Sequence, residues 1–94
     1  MRLSKIENEA LNYALGEISD KVFLFGSRTY DNRKGGDIDI LVYSKDLAYT
    51  ISKNIAVKFF SKCESKIDVF VVNPDHTTLQ QQAFIKEQNL IPIK

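Results

Sequence analysis

Residues 37–43, Asp37-Ile38-Asp39-Ile40-Leu41-Val42-Tyr43, decide how the chain is read. The stretch is aliphatic and β-branched, which is strand composition, yet two of its first three residues are carboxylates. Alternate residues of a strand share a face, with Cα atoms about 6.5–7 Å apart. Asp37 and Asp39 can therefore converge on one point in front of a sheet, while Ile38, Ile40 and Val42 turn the other way into a core. A charge placed inside an apolar strand is costly without a partner, so the pair asks for compensation.

Two more strands flank this one. Upstream, Lys21 to Phe25 (KVFLF) is an almost continuous apolar run ending at Gly26, the pattern of a strand buried on both faces. Downstream, Lys66 to Val72 (KIDVFVV) is closed by Asn73-Pro74, and its Asp68 sits between Ile67 and Val69. Between the first two strands, residues 30–36 are polar with adjacent glycines and read as a turn or loop.

Helices fill the remaining stretches. Ser4 and Glu7 have the spacing of a capping box, and Ile6, Ala10, Tyr13, Ala14 and Leu11 recur at helical spacing behind it. Ser44 or Asp46 is the expected cap of a second helix with Leu47, Ile51 and Ile55 on one side. A last helix, about residues 77–88, is expected to bury Leu79, Ala83 and Phe84. Leu90 to Ile93 is expected to add a short edge strand, where Pro92 is tolerated. The order is helix, strand, turn, strand, helix, strand, helix. It predicts an α/β (α+β) domain, a small mixed β-sheet with helices packed against it, the second and third strands pairing in parallel across a helical crossover.

Composition narrows the function. Ninety-four residues suffice for one compact domain, so residues 1–94 read as a single domain with one core. Thirteen basic and twelve acidic residues nearly cancel, giving no bulk attraction to nucleic acid or an anionic membrane. Phosphate binding must then come from a local site. Cys63 is the one cysteine, which excludes an intrachain disulfide and a cysteine-rich zinc site. The charged start lacks the apolar region of a signal peptide, and no apolar run approaches the roughly 20 residues of a membrane span. A cytoplasmic location and no membrane partner are the expectation.

If the third strand pairs beside the second, Asp68 joins Asp37 and Asp39 at one point. Three carboxylates so close would push at least one to bind a proton, and a divalent cation removes that conflict. Magnesium suits such a site, since it typically takes one or two carboxylates plus substrate phosphates. The other half of the site lies upstream. Gly26 lets a phosphate approach the backbone, Ser27 can donate its hydroxyl, and Arg28 adds a cation. Nine residues separate Ser27 from Asp37, enough to bring the aspartates back beside that turn.

Gly26-Ser27-Arg28, the spacer, and then Gly35-Gly36-Asp37-Ile38-Asp39-Ile40-Leu41-Val42 resemble the signature of the polymerase β-like nucleotidyltransferase superfamily. Within it the chain is most similar to the minimal nucleotidyltransferases, whose third Asp lies in a later strand, matched by Asp68. The likeness runs from about Val22 to Val72. It departs at Tyr30, where many relatives carry a second arginine, and at Gly36, where serine is common. The resemblance implies a nucleotidyltransferase fold and a minimal nucleotidyltransferase domain over residues 1–94. It implies Gly26, Ser27 and Arg28 at the nucleotide, and Asp37, Asp39 and Asp68 as catalytic metal ligands for two Mg2+ ions, with Asp68 also helping to take a proton. The implied reaction moves a nucleoside monophosphate, AMP from ATP or another triphosphate, to an acceptor. A chain consumed by its core implies an acceptor held elsewhere, and the family's usual companion is a helical HEPN-domain protein. An antitoxin or nucleotide-binding module acting by contact is the alternative. Nucleic acid stays open as an acceptor, as does an oligomer.

Plainer readings stand beside these. Asp37 and Asp39 could be surface carboxylates at a strand start, and Arg28 could pair with an acidic neighbour. The loop from Asp31 fails as a calcium loop, with arginine and glycine at its third and fifth positions and Val42 where a glutamate belongs. His76 reads as a loop or cap residue and Cys63 as a bystander. Lys53, Lys58, Lys62 and Lys66 read as a solvated face, and Phe59 and Phe60 as core, with a partner interface the alternative for one of them.

Overall fold

The computed structural model describes residues 1–32 and 35–94. Its elements are α1 (Lys5–Leu15), β1 (Lys21–Phe25), a 3-10 turn (Gly26–Thr29), β2 (Ile38–Tyr43), α2 (Ala48–Cys63), β3 (Ile67–Val72), α3 (Leu79–Lys86) and β4 (Ile91–Pro92). The strands form one mixed sheet in the order β3-β2-β1-β4. β1 runs antiparallel to β2 and to β4, while β2 and β3 are parallel with α2 as the crossover. The α/β (α+β) expectation of a small mixed sheet with helices against it is met.

Alternation along the strands builds two layers. Val22, Leu24, Ile38, Ile40, Val42 and Ile67 pack beneath the two long helices, meeting Ala10, Leu11 and Ala14 of α1 and Ile55 and Phe59 of α2. Phe25, Leu41 and Val72 face the other way, with Phe23, Tyr43, Ile85 and Leu90 around them. This second face is only partly roofed, since α3 contributes no fully buried residue.

Local chemistry sets most boundaries. The Ser4 hydroxyl accepts from the Glu7 amide at 3.1 Å and the Glu7 carboxylate accepts from the Ser4 amide at 2.9 Å, completing the capping box that opens α1. Thr78 and Gln81 repeat that device at α3. β4 lies on the outer edge of β1, where the missing N–H of Pro92 disturbs no central ladder. The tail beyond it continues the pairing, Ile93 donating to the Val22 carbonyl at 2.9 Å and Val22 donating to that of Lys94 at 2.8 Å.

Several expected faces are corrected. The buried stripe of α1 is Ala10, Leu11, Ala14 and Leu15, whereas Ile6 and Tyr13 are exposed at its rim. Lys62 of α2 covers the exposed Tyr13 ring, its ammonium 4.7 Å from the ring centroid. No side chain caps α2: its N-cap is Leu47, which is 77% exposed, and the Ser44 hydroxyl accepts from the Asp46 amide to close the preceding turn. On α3 the expected burial of Leu79, Ala83 and Phe84 fails: this short helix meets the sheet through Ile85 and one side of the Phe84 ring, which rests on Phe25 and Phe70 and is still 39% exposed. Phe59 is core as expected, but Phe60, its neighbour on α2, is 54% exposed. The loop weighed against a calcium site includes residues 33 and 34, outside the described residues.

Candidate active site

The two pairings of β2 put three side chains in one row across the sheet. Asp39 lies opposite Asp68 in the parallel ladder and opposite Phe25 in the antiparallel one. Partners in a ladder share a face, so the Asp39 and Asp68 carboxyls stand side by side on the face turned away from α1 and α2. The next row on that face is Phe23, Leu41 and Phe70.

Electrostatics record this closeness. The Asp39 carboxyl is pushed up from 3.8 to about 6, first by desolvation, then by the charge of Asp68, a hydrogen bond with Asp68, and the charge of Asp37. A hydrogen bond between two carboxyls requires a proton between them, so the pair is in conflict when both are charged. Asp37 stands apart. It precedes β2 by one residue, is exposed, and reaches Asp39 through charge alone. Among the described residues, no three His, Cys, Asp or Glu side chains come close enough together to hold a metal ion as they stand.

The glycine-serine turn faces the pair. Gly26 has φ +76°, and a Cβ there would collide with Oδ2 of Asp39 and stand 3.3 Å from its Cγ. Gly36 has φ +88°, and a Cβ there would collide with the Ser27 hydroxyl. Both positions lie in the left-handed region that side chains avoid. Turn and strand thus touch at two points that only glycine permits: Gly26 against Asp39, and Gly36 against Ser27. The 3-10 turn is pinned from below by buried Thr29, whose hydroxyl donates to the Gly26 carbonyl at 2.7 Å.

Arg28, expected as a nucleotide-binding cation, is engaged within the protein. Its guanidinium forms a two-pronged pair with Glu7 at 2.8 and 2.9 Å and donates to the carbonyls of Gly36 at 3.0 Å and Arg2 at 3.1 Å. Glu7 in turn is held down at about 2, chiefly by its hydrogen bond with Arg28. Arg2 adds a second clamp, donating to the carbonyls of Gly35 at 2.8 Å and Tyr30 at 3.1 Å. Sequence reading missed these roles of Arg2 and Glu7. Their partners are 21 to 33 residues away, so no local spacing announces them.

Two clefts border the aspartates. One of about 350 Å³ runs from Asp68 to the exposed Val57 and Phe60 of α2. The other, about 250 Å³, lies between Arg28, Gly36, Asp37 and Ser65. Lys66 lines both, which gives it a position that its reading as part of a solvated face did not suggest. His76 is exposed, its amide donating to the Asn73 carbonyl in a turn remote from this row, and Cys63 is a free, half-buried thiol.

Were a hard divalent cation bound, the Asp39 and Asp68 carboxyls, in mutual conflict when both are charged, would be the groups whose chemistry suits it. Residues 5–93 match the family model described as Polymerase beta, Nucleotidyltransferase, and the chain belongs to that family. No match to it is found among curated proteins or solved structures. Among the described residues, no helix is long and apolar enough to cross a membrane.

Proposed function

We propose that the chain transfers a nucleoside monophosphate, AMP from ATP, to a hydroxyl of a separate acceptor protein in a magnesium-dependent reaction. The observation that carries this reading is the Asp39–Asp68 row set against Gly26. The Asp39 carboxyl fills the position a Gly26 side chain would take, so the glycine lets the acidic pair sit against the turn, and the pair's charge conflict leaves a need for a cation.

Asp39 and Asp68 would hold the ion, with Asp37 joining from the end of β2. Bound there, a divalent ion supplies neutralisation of the triphosphate and of the entering and leaving oxygens. The chain's own groups do the rest. Gly26 lets the Asp39 carboxyl sit against the turn, and the Ser27 hydroxyl, which lies against Gly36, would donate to a phosphate oxygen. Asp68, at the mouth of the cleft beside α2, accepts the proton of the attacking hydroxyl. A bond forms between that oxygen and the α-phosphorus as the bond to pyrophosphate breaks. Arg28 acts at one remove by gripping Gly36 and so fixing the approach of Asp37.

For the acceptor, the exposed Val57 and Phe60 offer a partner an apolar landing beside Asp68. A HEPN-domain protein, with this chain as its antitoxin, is the partner proposed. ATP labelled at the α-phosphate, magnesium and that partner should yield labelled partner and one pyrophosphate per label. Label that persists with Asp39→Asn would defeat the reading. The same exposed patch favours a second one, neutralisation by contact without catalysis. An Asp39→Ala chain that still silences the partner in cells would select it.

A further inference from the structure

The outer edge of β3 is a long run of main chain whose hydrogen-bonding groups the fold leaves unclaimed. β3 ends the strand order, and its ladder to β2 is its only pairing among the described residues. The register fixes which groups face out. The Ser44 amide donates to the Val72 carbonyl at 3.0 Å, so Val72, Phe70 and Asp68 turn their N–H and C=O groups towards β2. Ile67, Val69 and Val71 turn theirs away from the sheet, three donors and three acceptors. The usual guards of such an edge are absent: residues 67–72 hold no proline, and their one charge, Asp68, stands on the sheet face rather than across the edge.

Open space borders this edge on both faces of the sheet. A cleft of about 350 Å³ lies between it and Val57 and Phe60 of α2, and a groove of about 220 Å³ between it and Gln80 and Phe84 of α3. The edge also matches itself. In an antiparallel pair about a twofold axis through Val69, that residue meets its own copy and Ile67 meets Val71 of the copy. All are hydrogen-bonded positions, so every outward group of both edges is satisfied at once. An axis at Phe70 would instead strand Ile67 opposite Asn73, and one at Asp68 would set two carboxylates against each other. A dimer of ordinary size covers about 800 Å² of each partner, about an eighth of this chain's 6213 Å². A strand edge alone is too narrow for that, so its exposed apolar flanks, Val57, Phe60 and Phe70, must join it.

We infer that the chain pairs with a second copy of itself through β3, joining two four-stranded sheets into one and setting Phe70 of each copy beside Asp68 of the other. The dimer does not rest on the proposed reaction but bears on it: the copy fills the cleft beside Asp68 proposed for the acceptor, so copy and acceptor compete. Sedimentation equilibrium should give a mass that rises with concentration from 10.7 kDa towards twice that value. Over the same range, amide exchange followed by NMR should slow at Ile67, Val69 and Val71 and change little at Phe70, whose amide β2 already holds. Val69→Pro removes an amide that β2 does not use, and should raise the dimer dissociation constant at least about tenfold. A chain that keeps the single mass up to millimolar concentration would overturn the inference. So would a dimer whose three outward amides exchange as fast as in the monomer, or a folded Val69→Pro chain that associates as tightly as wild type. Should that variant not fold, the exchange pattern of the unaltered chain decides alone. Protection of those amides only when a different protein supplies the strand would also overturn it, and would give the edge to that protein.

Discussion

Gly26 and Asp39 press on each other, and each can be altered separately. Gly26→Ala forces a Cβ into left-handed backbone at a cost of about 1–2 kcal/mol and drives it against the Asp39 carboxyl. Urea unfolding should show that loss, and nucleotide labelling should fall with it. Asp39→Asn behaves differently. It removes a charge that burial and Asp68 disfavour, so the metal-free chain should unfold at no lower urea concentration than wild type. Labelling should nevertheless drop by about a hundredfold or more, the scale expected when a transition-state charge partner is lost. Added magnesium should raise the midpoint of the wild-type chain more than that of the variant.

Between elements, the Glu7–Arg28 pair joins the first turn of α1 to the loop ahead of β2. Glu7 titrates near 2 rather than its ordinary 4.5, so the folded state prefers the carboxylate. Its stabilisation is complete above pH 4.5 and drains away as the pH falls towards 2. Both side chains are largely shielded, at 13% and 15% exposure, and Glu7→Gln should cost roughly 2 kcal/mol at neutral pH. Urea midpoints for wild type and variant should converge on acidification. This element scale is also where sequence reading succeeded and where it stopped. The strands were legible because apolar alternation and an Asn-Pro stop are local signals, and the row of Asp39 with Asp68 followed once a helix was seen to connect two parallel strands. Asp37 was expected in the same strand as Asp39, yet β2 begins at Ile38 and leaves it outside. The faces of Leu47, Leu79 and Tyr13 were misjudged because periodicity says that a stripe exists, not how far the neighbouring layer extends. For Arg28 the sequence leaves an acidic partner open beside a nucleotide role, but that the partner is Glu7 was not legible, because Glu7 lies in another element 21 residues away.

At the scale of the molecule, the body measures 34 × 29 × 18 Å, a slab whose helical side is closed and whose opposite side, which carries Asp39 and Asp68, is half open. Most of the buried core therefore lies on the helical face, and the proposed chemistry on the other. Phe59, fully buried between α2 and the sheet, belongs to the first. Phe59→Ala should remove about 3–5 kcal/mol, a large share of the roughly 5–15 kcal/mol typical of a domain. Thermal melts of this variant should shift far more than those of Phe60→Ala, whose ring projects into solvent from the same helix.

The parallel alignment of β3 on β2 has a consequence for how the chain matures. Sliding β3 by a single position would carry Asp68 beneath α2 and lift Ile67 and Val69 into water. A misthreaded molecule has no deep minimum in which to linger, so it anneals or comes apart. Burial of the aliphatic row thus fixes which way Asp68 faces, and a renatured sample should hold the Asp39–Asp68 row in every intact molecule.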